Sequence, residues 1–218
     1  MLLLDTGLSH HQLHGVDFQH QLSYAFAGRP VPNPHTKAWD IPSKFDRFLG
    51  LPTSIKSVGV KNTVPLSVIA MADARRMFSI AHPFRILVAP YTQSPLQKAA
   101  HQIFEFLVHP GEMDRLCGSL TYEEVEAFHE GLKVFEPGQH VAGRQWAKQH
   151  KQELVGHCQS SFILNPKVGN KDGARRLQCS LRMGTLMDTV AQWRVHQGEF
   201  YGLPLPLVIS STSREFLS

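Results

Sequence analysis

Asp40 and Lys56 stand sixteen residues apart in "WDIPSKFDRFLGLPTSIKSV", each inside a short run that favours an extended backbone. A carboxylate supplies the hard oxygen that Mg²⁺ prefers. A lysine beside it can orient or help deprotonate an attacking water, or stabilise charge on phosphorus. The ion itself stabilises the leaving oxygen. The pair therefore suits metal-assisted hydrolysis of a phosphodiester. One carboxylate makes a poor Mg²⁺ site, so a second acid is needed. The position two residues before the lysine is Ser54. Asp73, in "MADARRMF", is the candidate second ligand, and Asp46 is the competing acid in the intervening loop. Plainer roles stand beside these: a solvent-facing strand lysine for Lys56, a turn starter before Pro42 for Asp40, a first-turn helix acid for Asp73.

These residues need a scaffold. "VDFQHQLSYAFAG" (16–28) has apolar residues near helical spacing and a closing glycine, which predicts a helix. "AWDI" reads as a short strand, and "PTSIKSVGV" as a second strand bounded by Pro52 and Gly59. In that strand Ser54, Lys56 and Val58 share one face, while Ile55 points to the core. "LSVIAMADARRMFSI" predicts a helix over roughly 70–80, with an apolar start that could equally extend a sheet. "FRILVAPYTQ" (84–93) has the continuous apolar run of a fully buried central strand. "PLQKAAHQIFEFLV" reads as a helix or an amphipathic strand. "TYEEVEAFHEGLKVF" (121–135) is a helix capped by Thr121 with Glu124 three residues on. "GRQWAKQHKQELVGH" is another, basic one. "SSFILNPKVGNKDGARRLQCSLRM" reads as a hairpin about a Gly-Asn-Lys-Asp-Gly turn. The fold class expected is α/β, a mixed sheet flanked by helices with a C-terminal β-hairpin extension.

The run "WDI…SIK…ADARRMF…FRILVAPYTQ" resembles the core of the PD-(D/E)XK nuclease superfamily, the restriction-endonuclease-like fold. That pattern is an Asp at the end of one strand, Asp/Glu-x-Lys on the next, then a helix and a buried strand. Some restriction enzymes of the family have Ser-x-Lys and take the acid from the following helix, which Asp73 matches in type and place. The resemblance covers about residues 15–93. It implies Asp40, Ser54, Lys56 and Asp73 as catalytic residues, Asp40 and Asp73 as ligands of Mg²⁺, and double-stranded DNA as substrate. A type II restriction enzyme is the form expected. Homing or repair endonucleases of the same fold, or a non-catalytic DNA-binding protein, are the alternatives. Two-strand cleavage needs two active sites, so a homodimer is expected.

Composition bounds the rest. The chain has 218 residues, 42% hydrophobic and 18% charged, a globular balance that predicts one domain: a nuclease core over 15–93, then helical and hairpin elements for DNA recognition and dimerisation. Its net charge is +4, a mild lean toward a polyanion. Residues 105–136 carry eight acids against Arg115 and Lys133, and residues 137–182 reverse the sign. The predicted hairpin offers Lys167, Lys171, Arg175, Arg176 and Gln178 as DNA-binding residues, with arginine suited to guanine edges or phosphates and glutamine to adenine. Arg175 and Arg176 are adjacent, so in a strand they point to opposite faces and do different jobs. Three widely spaced cysteines favour a reducing compartment, the cytoplasm, over a disulfide framework. No apolar run is long enough to predict a membrane span. His10, His11 and His14 lack acids or cysteines at zinc-ligand spacing and read as a polar surface. GxSxG, GxxxxGK[ST], GxGxxG and HExxH motifs do not occur, which removes support for serine hydrolases, P-loop enzymes and zincins.

Overall fold

The computed structural model describes residues 21–28, 39–60, 68–94, 97–136, 138–169 and 175–210. In chain order the elements are α1 (21–27), a 3₁₀ turn at Ser43–Phe45, β1 (Thr53–Gly59), β2 (Val68–Asp73), α2 (Ala74–Phe78), β3 (Phe84–Gln93), β4 (Gln97–Ala100), β5 (Gln102–Val108), α3 (Pro110–Cys117), α4 (Tyr122–Lys133), α5 (His140–His157), β6 (Ile163–Val168), β7 (Arg175–Arg182), α6 (Met183–Thr189), β8 (Gln192–Gln197), β9 (Glu199–Phe200), β10 (Leu203–Pro204) and β11 (Leu207–Ser210). The class is mixed α/β. The chain forms two compact units, one of Met1–Pro65, Pro83–Leu107 and Gln192–Ser218, the other of Leu66–His82 and Val108–Ala191. The continuous run 15–93 expected as a core is thus shared between two units.

The first unit is built on β3. Its first six residues are buried, so both faces of the strand are covered and alternation vanishes, as the apolar run predicts. β1 lies parallel to β3, with Ser54 opposite Ile86 and Lys56 opposite Val88. After β3 the chain folds back as β4 and β5, each a neighbour of β3 in the order β11-β4-β3-β5-β8. The segment 97–108 is therefore strand throughout, broken only at His101. Its pairing with β3, Thr92 opposite Ala99 and Gln93 opposite Lys98, resolves the helix-or-strand ambiguity. One sheet face meets α1 through Leu22, Phe26, Ile55, Leu87, Ala89 and Ile103, all buried. Burying each such side chain is worth about 1.5–3 kcal/mol. Gly28 closes α1 at φ +67°, a conformation that strains residues with a Cβ. Arg47 then caps the helix, donating from Nε to the Phe26 carbonyl (2.9 Å) and from Nη2 to that of Ala25 (2.8 Å). The expected strand at "AWDI" is only an Ile41–Thr53 bridge, because Pro42 has no N–H to extend a ladder and leads straight into the 3₁₀ turn.

The second unit has a three-stranded antiparallel sheet in the order β2-β7-β6. The expected hairpin is present as β6 and β7, with its turn outside the described residues. Leu164, Val168, Leu177, Cys179 and Leu181 form its buried face. The helix expected over 70–80 is shorter: Val68–Asp73 joins the sheet by pairing with β7, and only Ala74–Phe78 is helical. α4 opens with the capping box read from its sequence. Glu124 donates its N–H to Thr121 Oγ1 (3.2 Å), and Thr121 N–H donates to Glu124 Oε2 (2.8 Å). Among the described residues no helix is long and apolar enough to cross a membrane.

Candidate functional site

Asp40 lies one residue before the bridge that joins Ile41 to Thr53, so the loop delivers its carboxylate to the start of β1. Its Oδ2 accepts the Ile55 N–H at 2.6 Å and the Ser54 hydroxyl at 3.4 Å. Lys56 Nζ stands 3.9 Å from the same oxygen. Both charged side chains are mostly buried, at 15% exposure for Asp40 and 19% for Lys56. Three of the four residues assigned from sequence to catalysis therefore meet at one point. Ile55 is buried in the core on the other face, as strand alternation requires. Oxygen donors beside a partly shielded ammonium suit a phosphate ester and a hard cation. Asp40 and Ser54 supply such donors, and a second carboxylate is still needed.

Asp73 is the last residue of β2, immediately before α2, and belongs to the second unit. It pairs in register with Gln178 of β7. Asp46, the competing acid, is committed elsewhere. Its Oδ1 accepts the N–H groups of Phe48 (3.0 Å) and Leu49 (3.4 Å), and its Oδ2 that of Leu51 (3.0 Å). Arg85 Nη1 sits 3.2 Å from Oδ2. A buried carboxylate with that many donors holds a loop together and has no place for an ion.

On the hairpin, Lys167 and Arg176 are both exposed and lie directly opposite one another in the ladder. Asn165 and Gln178 form the next pair on the same face. Like charges directly opposite one another destabilise a sheet pair. Arg175 lies at the strand end, opposite Val168, at a position that shares parity with the buried face. Lys171 lies outside the described residues.

A second polar constellation in the first unit was missed in the sequence. Arg85 is fully buried in β3, with Nε 2.9 Å from Glu105 Oε1 and its guanidinium 4.4 Å over the Phe26 ring. Glu105, 1% exposed on β5, also takes Arg194 Nε at 2.6 Å and His196 Nε2 at 2.8 Å. Tyr201 donates its hydroxyl to the same carboxylate at 3.1 Å. Burial works to raise the Glu105 pKa, but the hydrogen bonds from Arg194 and His196 and the charge of Arg85 prevail and hold it below the ordinary value. The tyrosine hydroxyl is pushed up, by burial and by the Glu105 charge. The signal was there: "FRIL" and "FEFLV" each set one charge inside an apolar strand, and buried charges need partners. Beside this cluster is a cavity of about 380 Å³ whose lining includes Phe48, Leu49, Glu105, Leu107, Arg194 and Tyr201.

Among the described residues, one group of three ligating side chains has its donor atoms within 4.8 Å: Glu126, His129 and Glu130 on α4. Glu126 is paired with Arg75 and Glu130 with Lys133, so the two acids are already neutralised. No family model, curated protein or solved structure matches this chain.

Proposed function

We propose that the protein is a Mg²⁺-dependent endonuclease acting on double-stranded DNA, in its most specific form a type II restriction enzyme that works as a cytoplasmic homodimer. The observation that carries this reading is the meeting of Asp40, Ser54 and Lys56 at the head of a strand that runs parallel to a buried central strand. Such an order, with an acid before one strand and a lysine on it, is that of the restriction-endonuclease-like core. In this reading Asp40 is a ligand of the ion, which would neutralise charge on the cleaved phosphate. Lys56 orients the attacking water and faces the developing charge on phosphorus. Ser54 keeps the Asp40 carboxylate in place through its hydroxyl. Lys167, Arg175, Arg176 and Gln178 of the hairpin strands, together with Lys171, are the residues that would contact DNA in this reading. A homing or repair role on the same fold uses the same residues.

One observation favours a second reading, a DNA-binding protein without catalysis: Asp40 Oδ2 already accepts the Ile55 N–H and lies near Lys56, and Ser54 occupies the place of an acid. Incubation with mixed-sequence plasmid, with and without Mg²⁺, separates these. Discrete Mg²⁺-dependent bands are expected. A mobility shift without cutting at any divalent ion concentration would leave the binding protein as the function.

A further inference from the structure

We propose that the cavity beside Glu105 binds a nucleotide unit, with an aromatic base on its apolar wall and a phosphate on Arg194. This site is distinct from the one at Asp40. Lys56 is level with Val88, on one face of the sheet, whereas Glu105 contacts Arg85, which alternates with Val88 and Ile86 and lies on the opposite face with Leu87. The cavity measures about 380 Å³, within the range of small-ligand sites.

Its chemistry selects the ligand. Among the described residues Glu105 is the only carboxylate in the lining, and four groups already donate to or face it: Arg85, Arg194, His196 and Tyr201. It has no capacity left for a cationic ligand. Arg194 uses Nε on Glu105 and Nη2 on Tyr201, while its Nη1 has no partner among the described residues. Its side chain is 57% exposed, so that end of the guanidinium is open to a ligand. The cavity therefore offers donors to an anion. Gln192, also in the lining, adds an amide able to donate and accept at a base edge. The remaining wall is apolar: Leu107 and Trp193 with Phe48 and Leu49, the last two about half exposed. The Phe48 ring packs 4.4 Å from that of Tyr201, tilted by 32°, so the wall is lined by aromatic rings on which a base can stack. Tyr201 itself is held at φ +48°, a conformation that an aromatic residue adopts at a cost. An aromatic anion of nucleotide size meets each of these features: ring on ring, phosphate on Arg194.

The nucleotide can arrive free or as an unstacked unit of a nucleic-acid strand, and the test distinguishes the two. It uses the full chain carrying Asp40→Asn, so that failure of the proposed hydrolysis does not enter. Calorimetric titrations are run with each nucleoside 5′-monophosphate, the matching nucleosides, inorganic phosphate and single-stranded oligonucleotides. Binding of at least one monophosphate is expected with a Kd below about 1 mM, at least tenfold tighter than its nucleoside or phosphate alone. Leu49→Trp fills the cavity from a half-exposed position and should abolish this binding without lowering the melting temperature. Arg194→Lys should weaken it at least tenfold. Oligonucleotide binding that is lost in Leu49→Trp, without binding of free monophosphates, assigns the site to a strand and upholds the proposal. No binding of monophosphates together with oligonucleotide binding that Leu49→Trp leaves unchanged overturns it. So does monophosphate binding that neither variant alters.

Discussion

At the scale of single residues, two pairs of opposite charges do different work. Asp40 and Lys56 are each partly open to solvent and meet at 3.9 Å. Under the endonuclease reading, Asp40→Asn should abolish Mg²⁺-dependent plasmid cleavage and leave duplex binding within a few-fold of wild type, since it would remove a metal ligand and a repulsion of phosphate. Cleavage at the wild-type rate would place the metal elsewhere. On the same reading Lys56→Ala should cut the rate by orders of magnitude with the fold intact, because its interaction would be needed mainly in the transition state. Arg85 and Glu105 are sealed from solvent and serve stability instead. Removing one partner of such a buried pair costs about 3–5 kcal/mol, so Arg85→Met should lower the urea-unfolding free energy by that amount. Glu105 also predicts a pH dependence. Its pKa is depressed below the ordinary 4.5. Its charged-state stabilisation is therefore present above pH 4.5 and lost as pH falls through the depressed folded value. The stability gap between wild type and Glu105→Gln should shrink on going from pH 7 to pH 3. A constant gap over that range means the carboxylate gains nothing from being charged.

At the scale of elements, the sequence was most legible where one physical signal stood alone. The unbroken apolar run of β3, the Thr121–Glu124 box of α4 and the two strands of the β6–β7 hairpin all appear where their patterns place them. So does the convergence of Ser54 and Lys56, because alternation about Ile55 leaves no other arrangement. Val68–Asp73 failed this test: its short apolar run fits strand or helix, and the partner that decides, β7, lies about a hundred residues away. The Glu105 cluster was hidden for the same reason, since its members come from β3, β5, β8 and the turn after β9. Close approach of α4 and α5 was also beyond sequence reading. A Cβ at Gly131 would stand 2.3 Å from the Trp146 ring, so this glycine is set by packing rather than by turn geometry. Gly131→Ala should lower stability by about 1–3 kcal/mol despite the better helix propensity of alanine. An increase in melting temperature would show that the ring yields freely. On the hairpin, Lys167 and Arg176 sit opposite one another. Replacing both with alanine should reduce the slope of log affinity against log salt by about 1.8, two released counterions at roughly 0.9 each. An unchanged slope would remove this face from the DNA interface.

At the scale of the whole molecule, the chain leaves the first unit at Pro65, returns at Pro83, leaves again after Leu107 and returns at Gln192. The segments that carry Asp40 and Lys56 and the hairpin that carries Lys167 and Arg176 are thus in different units of one chain. Under the endonuclease reading each chain brings one Asp40–Lys56 centre, and each centre cuts one strand. A duplex break then needs two chains, related by a two-fold axis that matches the antiparallel strands of DNA. This makes a kinetic prediction on supercoiled plasmid with a single site. A dimer that stays bound through both cuts converts supercoiled circles to linear molecules with little nicked intermediate. Chains acting singly pass through nicked circles, which accumulate before linear product appears. Sedimentation velocity in the presence of a cognate duplex and Mg²⁺-free buffer should show two chains per duplex. Mixing wild type with an excess of Asp40→Asn sharpens the test. If chains pair, mixed dimers cut one strand only, and nicked circles should rise as linear product falls. If the added variant leaves the ratio of nicked to linear product unchanged, each chain works alone, and the homodimer is excluded.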